Sequence, residues 1–135
     1  MINVAIADDH QLVIDGIQLM LEPEADMQLS IYALDGQSLL DQIDNATIDV
    51  VLLDVNMPVL NGLETCKKLR AKHPKIKILG LSMMKEVSLI KLMLQNGANG
   101  FLLKNAGKDE VVDAIRKVYD GQSYYSDEVA TIVMN

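Results

Sequence analysis

The chain has 135 residues, 50% of them hydrophobic, and carries 19 acidic side chains against 12 Lys and Arg for a formal net charge of -7. That length supports one core of ordinary size, no apolar run reaches transmembrane length, and the acidic balance argues against the segment holding nucleic acid or an anionic membrane by itself. The first residues read as a core strand rather than a secretory leader, so a cytoplasmic protein is expected; the lone Cys66, read as a small apolar helix residue, excludes an internal disulfide or thiolate metal cluster.

In chain order, INVAIA stops at Asp8-Asp9 and predicts a short buried strand with two acids at its carboxyl end. From His10 to Leu21 the apolar residues Val13, Ile17, Met20 and Leu21 recur at helical spacing, and Pro23 stops the helix. MQLSIYAL reads as a second strand, with Gly36 as the break before a short helical pattern of Leu39, Leu40 and Ile43. The third strand runs from Asp49 to Asp54, and a Pro/Gly-bounded loop follows. An amphipathic helix then carries Leu63, Cys66 and Leu69 inward and Lys67, Lys68, Arg70 and Lys72 on a solvated face, ending before Pro74.

IKILGLS is the fourth strand, finishing at Ser82, and a helix from about Glu86 to Asn96 is capped in the Gly97 region. ANGFLLK is the fifth strand, ending at Lys104; the helix from Gly107 to Asp120 has Val111, Val112, Ile115, Val118 and Tyr119 on one face and is closed by Gly121. In the tail, Ser126 followed by Asp127 and Glu128 is read as the start of a short last helix.

Strict alternation of strand and helix implies an α/β fold, a (βα)5 doubly wound parallel sheet with right-handed crossovers and the flavodoxin-like strand order 2-1-3-4-5. In that order the first and third strands are neighbours at the switch point, so Asp8, Asp9 and Asp54 converge on one crevice. Ser82 and Lys104 reach it from the ends of the fourth and fifth strands. Carboxylates crowded at one point repel one another, and a divalent cation relieves that repulsion. Oxygen ligands without a His or Cys cluster favour magnesium, which uses one or two carboxylates together with a phosphate oxygen. A metal, an ammonium and a hydroxyl around one point make a phosphoryl site without a Gly-rich loop. The reaction expected there is attack by the Asp54 carboxylate on a donor phosphorus, giving an aspartyl phosphate.

Asp8-Asp9, Asp54 followed by MP and NG, Ser82 and Lys104, in this order on four strand ends, resemble the receiver domain of a two-component response regulator over nearly the whole chain. The resemblance implies that Asp54 is the phosphoacceptor, Asp9 a direct magnesium ligand, Asp8 a ligand through water and the Asn56 backbone carbonyl a further ligand. It implies that Ser82 is the switch hydroxyl, Lys104 the cation on the phosphoryl oxygen, and Phe101 the aromatic that turns inward as the hydroxyl moves. The change is then read out on the face of the fourth helix, fifth strand and fifth helix, while Asn56 and Met84 tune loss of the phosphoryl group.

GFLLKN, GQSYYSDEVA and MPVLNGLE resemble the NarL/FixJ subfamily with LuxR-type output, whose members usually carry a helix-turn-helix domain after the receiver. Residues 1–121 are accordingly read as the receiver, and 122–135 as a tail that begins a linker to a missing output domain, or ends a receiver that acts alone. The partners implied are a sensor histidine kinase, a second copy through the face just named or through the first and fifth helices, and DNA only through the output domain, with no membrane. Many receivers have a Pro after the Lys, in a cis peptide; here Asn105 follows, and a non-proline cis bond would cost about 3–4 kcal/mol.

Other readings stand beside this one. An Asp-nucleophile phosphohydrolase typically has a second acid two residues after the nucleophile, where this chain has Asn56. A flavodoxin-type cofactor module lacks its phosphate loop here, and a receiver switching without phosphorylation would not need the full polar set. Asp8 and Asp9 alone would pass for a helix cap, His10 for a solvent-facing residue of the first turn, and His73 for a helix-end residue. On the fourth helix Ile90, Met93 and Leu94 suffice for a core stripe, so Leu89 and Leu92 are a surplus that fits a partner surface or isolated exposed aliphatics.

Overall fold

The computed structural model of the chain describes residues 1–83 and 86–134, so Met84 lies outside the described residues. In chain order come β1 (Ile2–Ala7), α1 (Gln11–Leu21), β2 (Met27–Ala33), α2 (Gly36–Ile43), β3 (Val50–Asp54), α3 (Gly62–Lys72), β4 (Lys77–Ser82), α4 (Val87–Gln95), β5 (Gly100–Leu103), α5 (Lys108–Tyr119), β6 (Tyr124–Tyr125) and α6 (Asp127–Met134). The strands form one six-stranded parallel sheet in the order β2-β1-β3-β4-β5-β6. This is the expected flavodoxin-like order with one strand added at the β5 edge. No helix among the described residues is long and apolar enough to cross a membrane.

Register decides what gathers at the carboxyl edge. Ala7 pairs with Leu53, Asp54 with Leu81 and Ser82 with Leu103, so the residues just past β1, at the ends of β3 and β4, and just past β5 lie along one rim. Because successive side chains of a strand point to opposite faces, the sheet supplies two cores. Ala5, Ala7, Val51, Leu53, Ile78 and Phe101 pack with Leu39, Cys66, Leu69, Ile90 and Met93 of α2, α3 and α4. Val4, Ile6, Val50, Leu52, Leu79, Leu81 and Leu102 pack on the other side with Ile14, Ile17, Val111 and Ile115 of α1 and α5.

The buried stripe of α1 is Ile14, Ile17 and Leu21, with Val13 and Met20 partly buried at its border, so the expected stripe is displaced around the helix. On α4 the expected surplus divides. Leu89 packs against the core, and Leu92 remains exposed. Asp35 and Asn61 cap α2 and α3 by accepting from the N–H groups of Ser38 at 2.8 Å and Glu64 at 2.9 Å.

The added strand β6 has no period for a sequence pattern to reveal. It is held by the Ser126 N–H, which donates to the Phe101 carbonyl at 3.1 Å, and by the Ser126 hydroxyl, which accepts from the Leu103 N–H at 3.2 Å. Glu110 on α5 accepts from the hydroxyls of Tyr124 at 2.7 Å and Ser126 at 3.1 Å. The edge of β5 is therefore paired, and α6 places Val129 in the core on the α4 side.

Candidate functional site

Three of the expected residues are almost fully buried at the rim: Asp8 is 0%, Asp54 2% and Ser82 1% exposed. A parallel strand buried on both faces carries Asp54 to this position, and the turn after β1 brings Asp8 beside it. Lys104, one residue past β5, reaches back so that its Nζ lies 3.1 Å from Asp8 Oδ2 and 3.1 Å from Asp54 Oδ2. Asp54 Oδ1 accepts from the Asn56 N–H at 3.3 Å, and Asp8 Oδ1 from the His10 N–H at 2.8 Å.

One ammonium between two buried carboxylates leaves the cluster net negative. Burial pushes the Asp54 carboxyl up to about 7, Asp8 adds to the rise, and Lys104 opposes it. For Lys104, burial disfavours the charge, yet Asp54 and Asp8 outweigh it and hold the ammonium above its ordinary range. Asp8 Oδ2 and Asp54 Oδ2 are buried and, among the described residues, are satisfied by the Lys104 ammonium alone, 3.1 Å from each. Buried carboxylate oxygens with spare lone pairs are the donors a hard divalent cation takes. Ligating atoms of Asp8, Asp9, His10 and Asp54 all lie within 4.8 Å of one another, so the residues present fit such an ion.

The remaining expected residues surround this point. Asn56 is exposed at the mouth, and its side-chain amide donates to Glu86 Oε1 at 3.0 Å. The Ser82 hydroxyl donates to Glu86 Oε2 at 3.4 Å. Phe101 is completely buried, its ring lying where a Cβ on Gly80 would be, so it already faces inward. The described residues contain no cis peptide bond. Val59, in the loop after Asp54, is exposed with φ 66°, a left-handed conformation that costs a β-branched residue about 1–3 kcal/mol.

Two residues of the site were not expected. His10 occupies the N-cap position of α1 and is half-exposed, but its Nδ1 lies 2.9 Å from Asp8 Oδ1, 3.2 Å from Asp9 Oδ1 and 3.1 Å from Lys104 Nζ. It is thus part of the cluster rather than a bystander in the first turn, and its adjacency to the acid pair was the available signal. Glu86 had none, because Asn56 stands on another loop and no local period ties Glu86 to the Ser82 hydroxyl at the end of β4. Beside the acids, a recess of about 550 Å³ is walled by Leu12, Val13, Met83 and Leu103, with His10, Ser82, Lys104 and Asn105 at its polar end. Leu12 and Met83 stand largely in solvent.

A family model for the response regulator receiver domain matches residues 4–116. The response regulator GacA of Pseudomonas viridiflava is 41% identical over 130 residues, which cover 96% of this chain and 61% of GacA. The chain therefore spans about three fifths of that relative's length. The isolated receiver domain of RcsB from Salmonella enterica serovar Typhimurium, solved with the phosphomimetic BeF3-, matches with a TM-score of 0.88 at 23% identity over 98% of each chain, a likeness of fold. The signal receiver domain of NarL from Mycobacterium tuberculosis matches with a TM-score of 0.84 at 30% identity over 90% of this chain and 98% of that one.

Proposed function

The chain belongs to the response regulator receiver domain family, and on that premise we propose that Asp54 accepts a phosphoryl group from the phosphohistidine of a sensor histidine kinase. The observation that carries this reading is the pair of buried carboxylate oxygens on Asp8 and Asp54 that share one ammonium between them. Crowded buried anions of this kind are relieved by a divalent cation, whose charge also offsets that of an incoming phosphoryl group.

In the transfer an Asp54 oxygen forms a bond to phosphorus as the phosphorus–nitrogen bond of the donor breaks, and the donor imidazole keeps the electron pair. Magnesium, held by Asp9, Asp54, the Asn56 backbone carbonyl and, through water, Asp8, would neutralise charge on the phosphoryl oxygens. Lys104 keeps its charge between the acids and is positioned to shift from an Asp54 oxygen to a phosphoryl oxygen. Ser82 supplies a hydroxyl donor from the end of β4, and Phe101 links that movement to the core beneath α4. The outcome is a change of state of the chain, a switch that modifies itself rather than a turnover enzyme. Asn56 and Met84 are assigned to tuning how long the state lasts.

The apolar recess with Leu12 and Met83 at its edge, next to the acids, supports docking of an apolar helix of the kinase. Residues 1–121 are the switching unit, and β6 and α6, hooked onto β5, carry its change toward a helix-turn-helix output domain that binds DNA and controls transcription. A homodimer would form through α4, β5 and α5, or through α1 and α5.

Intact mass after incubation with acetyl phosphate and magnesium tests the reading. One added phosphoryl group, absent in Asp54→Ala and in a chelated sample, is the expected result; an adduct that survives Asp54→Ala overturns it.

A further inference from the structure

We propose that Glu86 is a positioning residue, a clasp that holds the unphosphorylated arrangement by keeping the Ser82 hydroxyl and the loop after Asp54 on its carboxylate. The proposal rests on the reading of Asp54 as phosphoacceptor. Glu86 stands at the N-cap position of α4, and its side chain makes no cap bond to the free N–H groups of its own helix. The carboxylate instead reaches over the site. Oε1 accepts from the Asn56 amide at 3.0 Å, 30 residues away in sequence, and Oε2 accepts from the Ser82 hydroxyl at 3.4 Å.

These contacts join the β3–α3 loop to the end of β4 and the start of α4. A hydroxyl has one hydrogen to donate, so Ser82 serves Glu86 or a phosphoryl oxygen, not both. Glu86 is also an anion at the edge of a crevice that would receive further negative charge. It therefore favours one state twice over, by holding the donor and by repelling the group the donor must meet. A residue that interacts differently with two states shifts their populations, and loss of this one releases the start of α4 from the loop after Asp54.

Beryllofluoride titrated into the full chain with magnesium, followed by NMR of the amides of Val87 and Phe101, reads the balance. Glu86→Ala is expected to bind beryllofluoride about fivefold more tightly, the effect of one net hydrogen bond, and to move the free-state signals toward the bound ones. Glu86→Gln, which keeps an acceptor oxygen without the charge, falls between. In a Ser82→Ala background the gain from Glu86→Ala shrinks, since half of the clasp is already gone. Unchanged or weaker binding by Glu86→Ala overturns the clasp while leaving the phosphoacceptor reading intact, and a gain undiminished in Ser82→Ala reduces Glu86 to simple charge repulsion and overturns it as well. A wild-type chain that takes no beryllofluoride overturns both.

Discussion

Lys104 Nζ lies 3.1 Å from Asp54 Oδ2 although the strands that carry them, β5 and β3, are separated by β4. The Lys side chain spans the end of the intervening strand and stops where Asp8 Oδ2 also lies, 3.1 Å away. A single cation is thus shared by acids from two neighbouring strands, in the place where a divalent ion would bring more charge.

Removing the ammonium should strengthen metal binding while weakening the metal-free fold. Lys104→Met takes away a positive charge that competes with the ion, so magnesium affinity by calorimetry is expected to rise about tenfold. In chelator at pH 8 the same variant leaves two buried carboxylates uncompensated, and urea denaturation is expected to register a loss of about 2–4 kcal/mol, partly recovered on adding magnesium. Equal magnesium affinity in the two proteins would mean that Lys104 does not compete for the acids.

Without a divalent cation, Asp54 makes stability depend on pH in the sense opposite to that of an ordinary salt-bridged acid. Its carboxyl is raised from 3.8 to about 7 by burial and by Asp8. Between those values the folded chain holds a proton that the unfolded chain has released, so this group's contribution falls as pH rises from 3.8 and levels off above about 7. Relative to Asp54→Asn, wild type in chelator should lose stability progressively across that interval, and magnesium should flatten the difference. Parallel stability curves for the two proteins would contradict the raised value.

Phe101 owes its inward position to the missing side chain of Gly80, whose Cβ would overlap the ring. Gly80→Ala should displace the aromatic and destabilise the chain by about 1–3 kcal/mol, with near-ultraviolet and NMR signals of Phe101 altered. Combining it with Phe101→Leu should cost less than the sum of the two single changes, because the smaller side chain leaves room for the methyl group. Strict additivity would show that residues 80 and 101 do not press on each other.

The strand-end positions of Asp54, Ser82 and Lys104 were legible because apolar runs of strand length, each ending at a polar residue, reveal where a parallel sheet presents its chemistry. The outward placement of His10 was inferred from the first helix alone. A helical period says nothing of a ring at the cap position that folds back onto Asp8 and Lys104. Leu89 looked surplus for the same reason, since the width of the groove it fills is set by neighbouring elements rather than by α4.

The alternation of strand and helix, the polar residues at the strand ends and hence the acidic crevice were readable from the residue order, because each follows from a local period or an abrupt end to it. The pairing of β6 with β5, the seat of Phe101 on Gly80 and the reach of Glu86 to both Asn56 and Ser82 emerge from packing. Those relationships depend on strand register, on the twist that brings separate loops to one rim, and on which side chain fills a gap left by another. Such quantities exist only once distant parts of the chain have packed together.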